Sequence, residues 1–459
     1  MRYYATSHCQ PPADFPEGQR AFQGSEVFSV GGSPTVITWS DDGMPIGAGA
    51  RLRVSVATDI REVVRLAVAS AETGTVFGDL DLRFSYPLQI HELLLDRGNS
   101  ELARKEGISL RLIEGSRPQW LFWRGPGADI NAHSPHLLRE ETTGELDAAL
   151  DRLMSLDSLQ PFGWLEGCVL DALAAWSGHP RCGGRCQEAM ARHFAQFADV
   201  TGALAYEDPR NAAVRSRIYG AEGGLPFAVL ARFMPLSPWL AIAADFFRDW
   251  SEVRSSWHVA ETSYTCAYPM AVLALIRPGE GWEQRAADHL LRQCQTLASS
   301  EGIWLRRSES GDRAEMKNWS RGIAWYLLGL ARSLPLLPKN PALEIEFQRA
   351  ALWVLGHQRA DGLWGVYVDE PELDPDTSAC AGIGAALAMG CRARLLPDNC
   401  LPAAQATLGT LQRHLTPDGF LTGVAQSNKG GENLQRGSHR VMAQFSLGLL
   451  LLLRRFAED

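Results

Sequence analysis

Carboxylates, cations and indoles recur at apparent helix starts across the C-terminal two-thirds of this 459-residue chain. Glu222 opens AEGGLPF, Glu261 and Tyr264 lie in ETSYTCAYPM, and Trp319, Arg321 and Trp325 share NWSRGIAW. Trp364 ends DGLW, Asp376 and Thr377 precede SACAGIGAAL, and Arg436, His439 and Arg440 lie in LQRGSHRVM. Aromatic rings stack on pyranose faces, a guanidinium pairs with a carboxylate through two hydrogen bonds, and carboxyl groups serve as general acid or base at a glycosidic centre. The mixture suits a sugar acid. Glu222 would donate the proton, Asp376 or Glu261 would orient water, and Arg321 with Arg436 would hold the sugar carboxylate. For an inverting hydrolysis the two carboxyl groups belong roughly 6.5–9.5 Å apart.

Each residue also has a plainer role open to it. Asp376, Thr377 and Ser378 are all good N-cap residues, so helix capping and substrate contact both remain open for them. Glu222 stands before Gly223 and Gly224, where bare backbone would admit a ligand closely, but a helix-start Glu is also favoured by the helix dipole. Trp325 could be core, Arg321 could cap a carbonyl, and His439 is a proton carrier or a packing residue.

The elements that position these residues follow from repetition. Apparent units open near Trp164, Glu222, Ser263, Ser320, Ser378 and Ser438, at spacings of 58, 41, 57, 58 and 60 residues. Gly302, Gly362 and Gly419, in EGIW, DGLW and DGFL, add a second register of 60 and 57 residues. A period of this length holds two ordinary helices and their connections, so six units predict an (α/α)6 toroid. Ile323 to Leu334 and Phe445 to Leu453 are apolar nearly all round, as a helix contacted on every side must be. Gly329, Gly382, Gly384 and Gly448 would let inner helices approach closely. Trp282 to Leu297 and Phe347 to His357 are amphipathic and belong outside. Polar residues at one rim would then face a common cavity.

Residues 1–130 read differently. Short runs such as TVITWS, RLRVSVAT, LDLRFSY and QWLFWRG alternate β-branched and aromatic residues between turns, predicting an N-terminal β-sandwich accessory domain ahead of a catalytic barrel over 131–459. This first domain would be a structural or dimerising module, giving a homodimer, or a carbohydrate-binding one with Trp120 and Trp123 as stacking rings.

Composition narrows the classes. With 46% hydrophobic and 21% charged residues the chain is globular, and a net charge of −9 argues against a nucleic-acid partner without excluding an anionic sugar. No apolar run approaches the roughly 20 residues of a membrane span, and the N-terminus lacks a secretory signal, which points to the cytoplasm. The nine cysteines are scattered, with Cys168, Cys266 and Cys380 inside apparent inner helices as buried thiols. Cys182 and Cys186 have no second pair at zinc spacing, so neither metal nor cofactor is expected.

WSRGIAW is similar to the Trp-Gly-Arg-Gly-x-Gly-Trp signature of the six-hairpin glycosidases, and DTSACAGIGAAL to their Glu-Thr-Ser-Gly-x-Ala segment. With DGLW, these motifs make the last 300 or so residues resemble the unsaturated glucuronyl and rhamnogalacturonyl hydrolases of glycoside hydrolase families 88 and 105. The resemblance implies a metal-free mechanism in which an Asp protonates the vinyl ether of a 4,5-unsaturated uronic acid, water adds at ring carbon 5, and the hemiketal opens to release the sugar. It implies a uronic-acid-containing oligosaccharide as substrate and places Trp319, Arg321 and Trp325 in the pocket. Two positions depart from the pattern. The family's acid Asp falls near Tyr219, leaving Glu222 as the nearest carboxyl group, and a family His appears here as Arg306. A related family acting on saturated terminal glucuronic acid is the competing assignment. From other classes, a sugar epimerase would need His258 and His439 paired across the cavity, and a non-catalytic sugar-binding protein would leave Glu222 away from any pocket.

Overall fold

The computed structural model describes residues 3–9, 14–15, 22–40, 47–127, 132–139, 145–208, 212–250 and 257–458. Its C-terminal part is built on six inner helices. They are Trp164–Trp176, Pro226–Phe233, Tyr268–Ile276, Ser320–Ser333, Thr377–Arg392 and Phe445–Glu458, and each packs on the next, with the last returning to the first. Amphipathic helices such as Gly183–Ala195, Trp282–Leu297, Pro341–Leu355 and Cys400–Leu411 lie against their outer faces. The result is a helical toroid. Ile323, Leu327, Leu447 and Leu451 are fully buried, which is why those segments carry no polar face.

Glycine sets the closeness of the ring. A side chain at Gly329 would collide with the backbone of Ser263, and one at Gly448 with the carbonyl of Cys168, so these positions join neighbouring inner helices almost backbone to backbone. The repeated glycines of the other register do a second job: Gly302, Gly362 and Gly419 have φ of 135°, 84° and 94°, conformations that side chains rarely adopt. Cys168, Cys266 and Cys380 are free and buried in the inner ring.

The N-terminal region is β-rich. An antiparallel eight-stranded sheet runs in the order Val76–Asp81, Arg65–Ser70, Ile108–Glu114, Thr35–Trp39, Tyr3–Cys9, His136–Arg139, Gly49–Ser55, Ile90–Asp96. A separate pair, Glu26–Val30 with Gln119–Arg124, shares its apolar core of Phe28, Leu52, Val54, Leu66, Val68 and Leu121. The sheet takes a strand from His136–Arg139, beyond the expected boundary near residue 130. Trp120 donates its indole N–H to the carbonyl of Asp14, and Trp123 packs against the sheet core.

This region is welded to the barrel by charge. Arg53 is fully buried and reaches Asp418 at 2.7 Å, and Arg152 reaches the same carboxylate at 3.1 Å. Gln444 donates to the carbonyl of Leu88 at 2.6 Å, and Gln426 to that of Arg83 at 2.9 Å. Among the described residues no helix is long and apolar enough to cross a membrane.

Candidate active site

Two loops at one rim of the toroid bring two glutamates together. Glu222 lies in the short 3-10 turn Ala221–Gly223 ahead of the second inner helix. Glu261 stands just before Ser263–Ala267, a π-helical turn that leads into the third. Single π turns of this kind are frequent at functional sites. The bare backbone after Glu222 explains the approach: a side chain on Gly224 would collide with the carbonyl of Thr265, and Cys266 Sγ donates to the carbonyl of Ala221 at 3.6 Å. Gly224 therefore serves loop packing rather than close access for a ligand. The two carboxyl groups hydrogen-bond each other, and Tyr219 donates its hydroxyl to Glu222 at 3.2 Å.

Two carboxyl groups in contact cannot both ionise at little cost. Burial, then the charge of Glu222, hold the Glu261 carboxyl well above the ordinary range, while Arg306 pulls in the opposite direction. Burial and the Glu222 charge also raise the Tyr219 hydroxyl. Arg306 is placed by β-pairing. Its strand, Gly302–Arg307, sets it opposite Val259, two residues before Glu261, and opposite Glu315, to which its guanidinium reaches at 3.5 Å. The position where the sequence departs from the family's His thus supplies a cation beside the acid pair.

Both glutamates line a cavity of about 950 Å³ with Tyr219, Trp257, Arg306 and Lys429. Arg61 and Tyr86, from the β-rich region, complete its wall. Lys429 lies 4.0 Å from the centre of the Tyr86 ring and ion-pairs with Asp59. Tyr86 accepts from Ser427 at 3.0 Å and meets Trp164 edge-on at 6.1 Å. Nothing in the sequence marked Tyr86, Trp257 or Lys429, because each becomes relevant only through a contact distant along the chain.

The remaining expected site residues divide sharply. Arg321 is buried and spent: its Nε and Nη2 donate to Asp376 Oδ2 at 2.9 and 2.6 Å, and Nη2 also meets the carbonyl of Ala425. Asp376 Oδ1 accepts from Ser378 N–H at 3.1 Å, Ser378 Oγ at 2.7 Å and Ala425 N–H at 3.2 Å. This carboxylate is a satisfied helix cap and ion-pair partner with no exposed surface, so it cannot orient water, and Arg321 cannot hold a substrate carboxylate. The Arg321 charge is still felt at Tyr86, which places the pair behind the same rim.

Trp325 packs between Trp164 and Tyr264, at ring separations of 5.2 and 6.2 Å, and Tyr264 donates to buried Asp171. Trp319 donates to Gln435 at 3.2 Å, Trp364 to the carbonyl of Val354 at 2.8 Å and Thr377 to that of Thr422 at 2.7 Å. All five are buried: Trp325 packs through its ring, and the polar atoms of Tyr264, Trp319, Trp364 and Thr377 satisfy buried partners. Arg436 is bound to Glu370 and Glu432 and lines a second cavity. His439 lines a third, of about 250 Å³, with Asp81 and His91. His258 instead meets the Glu309 carboxylate through Nε2 at 3.1 Å and is absent from the wall of the His439 cavity, so the two histidines do not face each other there. Among the described residues no cluster of His, Cys, Asp and Glu could hold a metal ion.

Residues 270–455 match the model of Glycosyl Hydrolase Family 88. No curated protein matches the chain in sequence. Among solved structures, a candidate family 105 member from Salmonella enterica serovar Paratyphi A is 17% identical with a TM-score of 0.58, over 68% of this chain and 92% of its own. A family 105 glycoside hydrolase of C. acetobutylicum is 16% identical with the same TM-score, over 68% and 99%. An unsaturated glucuronyl hydrolase from Bacillus sp. GL1, titled as responsible for glycosaminoglycan degradation, is 15% identical with a TM-score of 0.51, over 67% and 94%. At these identities the likeness is one of fold.

Proposed function

The barrel is that of a glycoside hydrolase resembling families 88 and 105, and from that premise we propose that the protein removes a terminal 4,5-unsaturated uronic acid from an oligosaccharide, with Glu261 as the acid. The observation that carries this reading is the contact between the carboxyl groups of Glu222 and Glu261. Direct hydrolysis at an anomeric carbon needs two carboxyl groups flanking the sugar, separated by roughly 5–5.5 Å for retention or 6.5–9.5 Å for inversion. A pair in contact leaves no room for a sugar between them. It suits a reaction in which one proton is delivered and then recovered.

Protonated Glu261 gives its proton to ring carbon 4 of the vinyl ether. Water adds at carbon 5 and returns a proton to the pair, with Glu222 as acceptor. The hemiketal opens, and the glycosidic bond breaks to release the remaining sugar. Burial and the neighbouring Glu222 charge raise the Glu261 carboxyl and so favour the protonated form that this step needs. Arg61, Arg306 and Lys429, on the cavity wall, are the cations a uronate carboxylate would meet, in competition with their partners Asp59 and Glu315.

The test offers unsaturated and saturated uronyl disaccharides to the protein and follows loss of the conjugated ultraviolet absorbance together with released reducing sugar. Turnover of the unsaturated compound alone is expected. Release of saturated glucuronic acid would replace this reading with that of an ordinary glucuronidase.

A further inference from the structure

The cavity holding the two glutamates does not end at Arg306. A second cavity of about 610 Å³ begins there, and Arg306, Glu315 and Asn428 line both, so the two form one cleft with the guanidinium at the junction. The first compartment is walled by the β-rich region and the acid loops; the second lies between the hairpin carrying Trp304 and the helix Gly431–Arg436. The linkage to be broken must lie near the acid pair. The rest of the oligosaccharide must leave along the cleft, and the second compartment continues it.

Its chemistry is selective. Trp304 offers an indole on the wall, and among the described lining residues the carboxylates Glu315, Asp369, Glu370 and Glu432 outnumber the cations Arg306, Lys317 and Arg436. The ion pairs do not cancel this surplus: Arg436 faces both Glu370 at 2.5 Å and Glu432 at 3.0 Å, Arg306 faces Glu315 at 3.5 Å, Lys317 is drawn to Glu301 at 3.0 Å outside the lining, and Asp369 is held by the neutral amide of Asn318 at 2.8 Å. A sulfate or second carboxylate placed here would meet surplus negative charge, whereas a hydroxyl-rich sugar finds an aromatic face and many acceptors. We propose that this second compartment is the binding site for the leaving saccharide, and that it takes a neutral, unsulfated sugar and rejects a sulfated one.

The proposal rests on the hydrolase reading above, and the experiment separates the two. Unsaturated uronyl trisaccharides with neutral or sulfated sugars after the uronate are compared by kcat/KM on the full protein. The neutral compound should be preferred by about tenfold or more, a difference within reach of a few unpaired polar contacts. Glu432→Lys, at an exposed side chain, should narrow that gap by raising turnover of the sulfated compound. Trp304→Ala should raise KM for the neutral trisaccharide while leaving kcat unchanged. Equal or better turnover of the sulfated compound, or no response to either variant, overturns the proposal. If the wild-type protein turns over neither compound, the hydrolase reading fails. Calorimetric binding of the same two saccharides then decides the subsite: a preference for the neutral one supports it, and none overturns it.

Discussion

The barrel contains two carboxylate centres at the same rim, and they have opposite electrostatics. At Asp376 a single carboxylate faces the Arg321 guanidinium and five hydrogen bonds in all, with no exposed surface. At Glu222 and Glu261 two carboxyl groups face each other beside a cavity of about 950 Å³. The first arrangement holds a helix start in place. The second sets two carboxyl groups against each other beside a cavity, which costs stability and favours the protonated form of Glu261. A carboxylate's partner, rather than its place in a motif, separates the structural centre from the one proposed for the chemistry.

The sharpest way to break this contrast is Glu261→Gln. Catalysis should fall by about 10²–10⁴-fold, the usual worth of a positioned acid. The fold should survive and gain stability at neutral pH. Because the folded state raises the Glu261 carboxyl, its contribution is complete below the ordinary glutamate range and is lost as pH rises through the raised value. Thermal melts of both proteins against pH check the sign, and a variant less stable than the wild type at pH 7 would contradict it.

Asp376→Ala should do the reverse. Removing one partner leaves Arg321 buried and unpaired, at a cost of about 3–5 kcal/mol measured by denaturant unfolding. The double change Arg321→Met with Asp376→Leu should recover part of this. Activity per folded molecule should change far less than in Glu261→Gln; an equal loss with full stability would move Asp376 back to the chemistry.

A third carboxylate, Asp418, sharpens the comparison from the cation-rich side. Arg53 and Arg152 hold it well below the usual range. The stability it contributes is present above that range and lost as pH falls through it, opposite in sign to Glu261. Asp418→Asn should cost about 1–3 kcal/mol at neutral pH and flatten the acid limb of the stability profile.

The smallest effect is a displacement of the basic limb of the kcat/KM profile. Glu222→Gln also removes the proton acceptor and should lower kcat, and in the activity that remains the limb should move to lower pH because a charge that raises Glu261 is gone; Arg306→Gln removes a charge that lowers it and should move the limb to higher pH. Shifts in the same direction would mean that Glu261 is not the group titrating.

Much of the scaffold was legible along the chain. The recurrence of apolar helices opened by polar clusters reflects local periodicity, and the glycines at 329 and 448 appear where two backbones nearly touch. The site was legible only as a set of candidates. NWSRGIAW drew attention to Arg321, yet the residue that cancels its charge lies 55 positions away, and the cap residues at Asp376 to Ser378 carried the structural role left open for them. Tyr86 and Lys429 meet across the join between the two regions, with no motif at either position.

The sequence by itself determined the helical ring, the order of its helices and the supply of acids, cations and indoles at its rim, because helix periodicity and capping act within a few residues. Only the tertiary structure decided which acid met a cation and which met another acid. Coulomb interactions and burial depend on distance in space, and here that distance is set by loops brought together from Asp59 to Lys429.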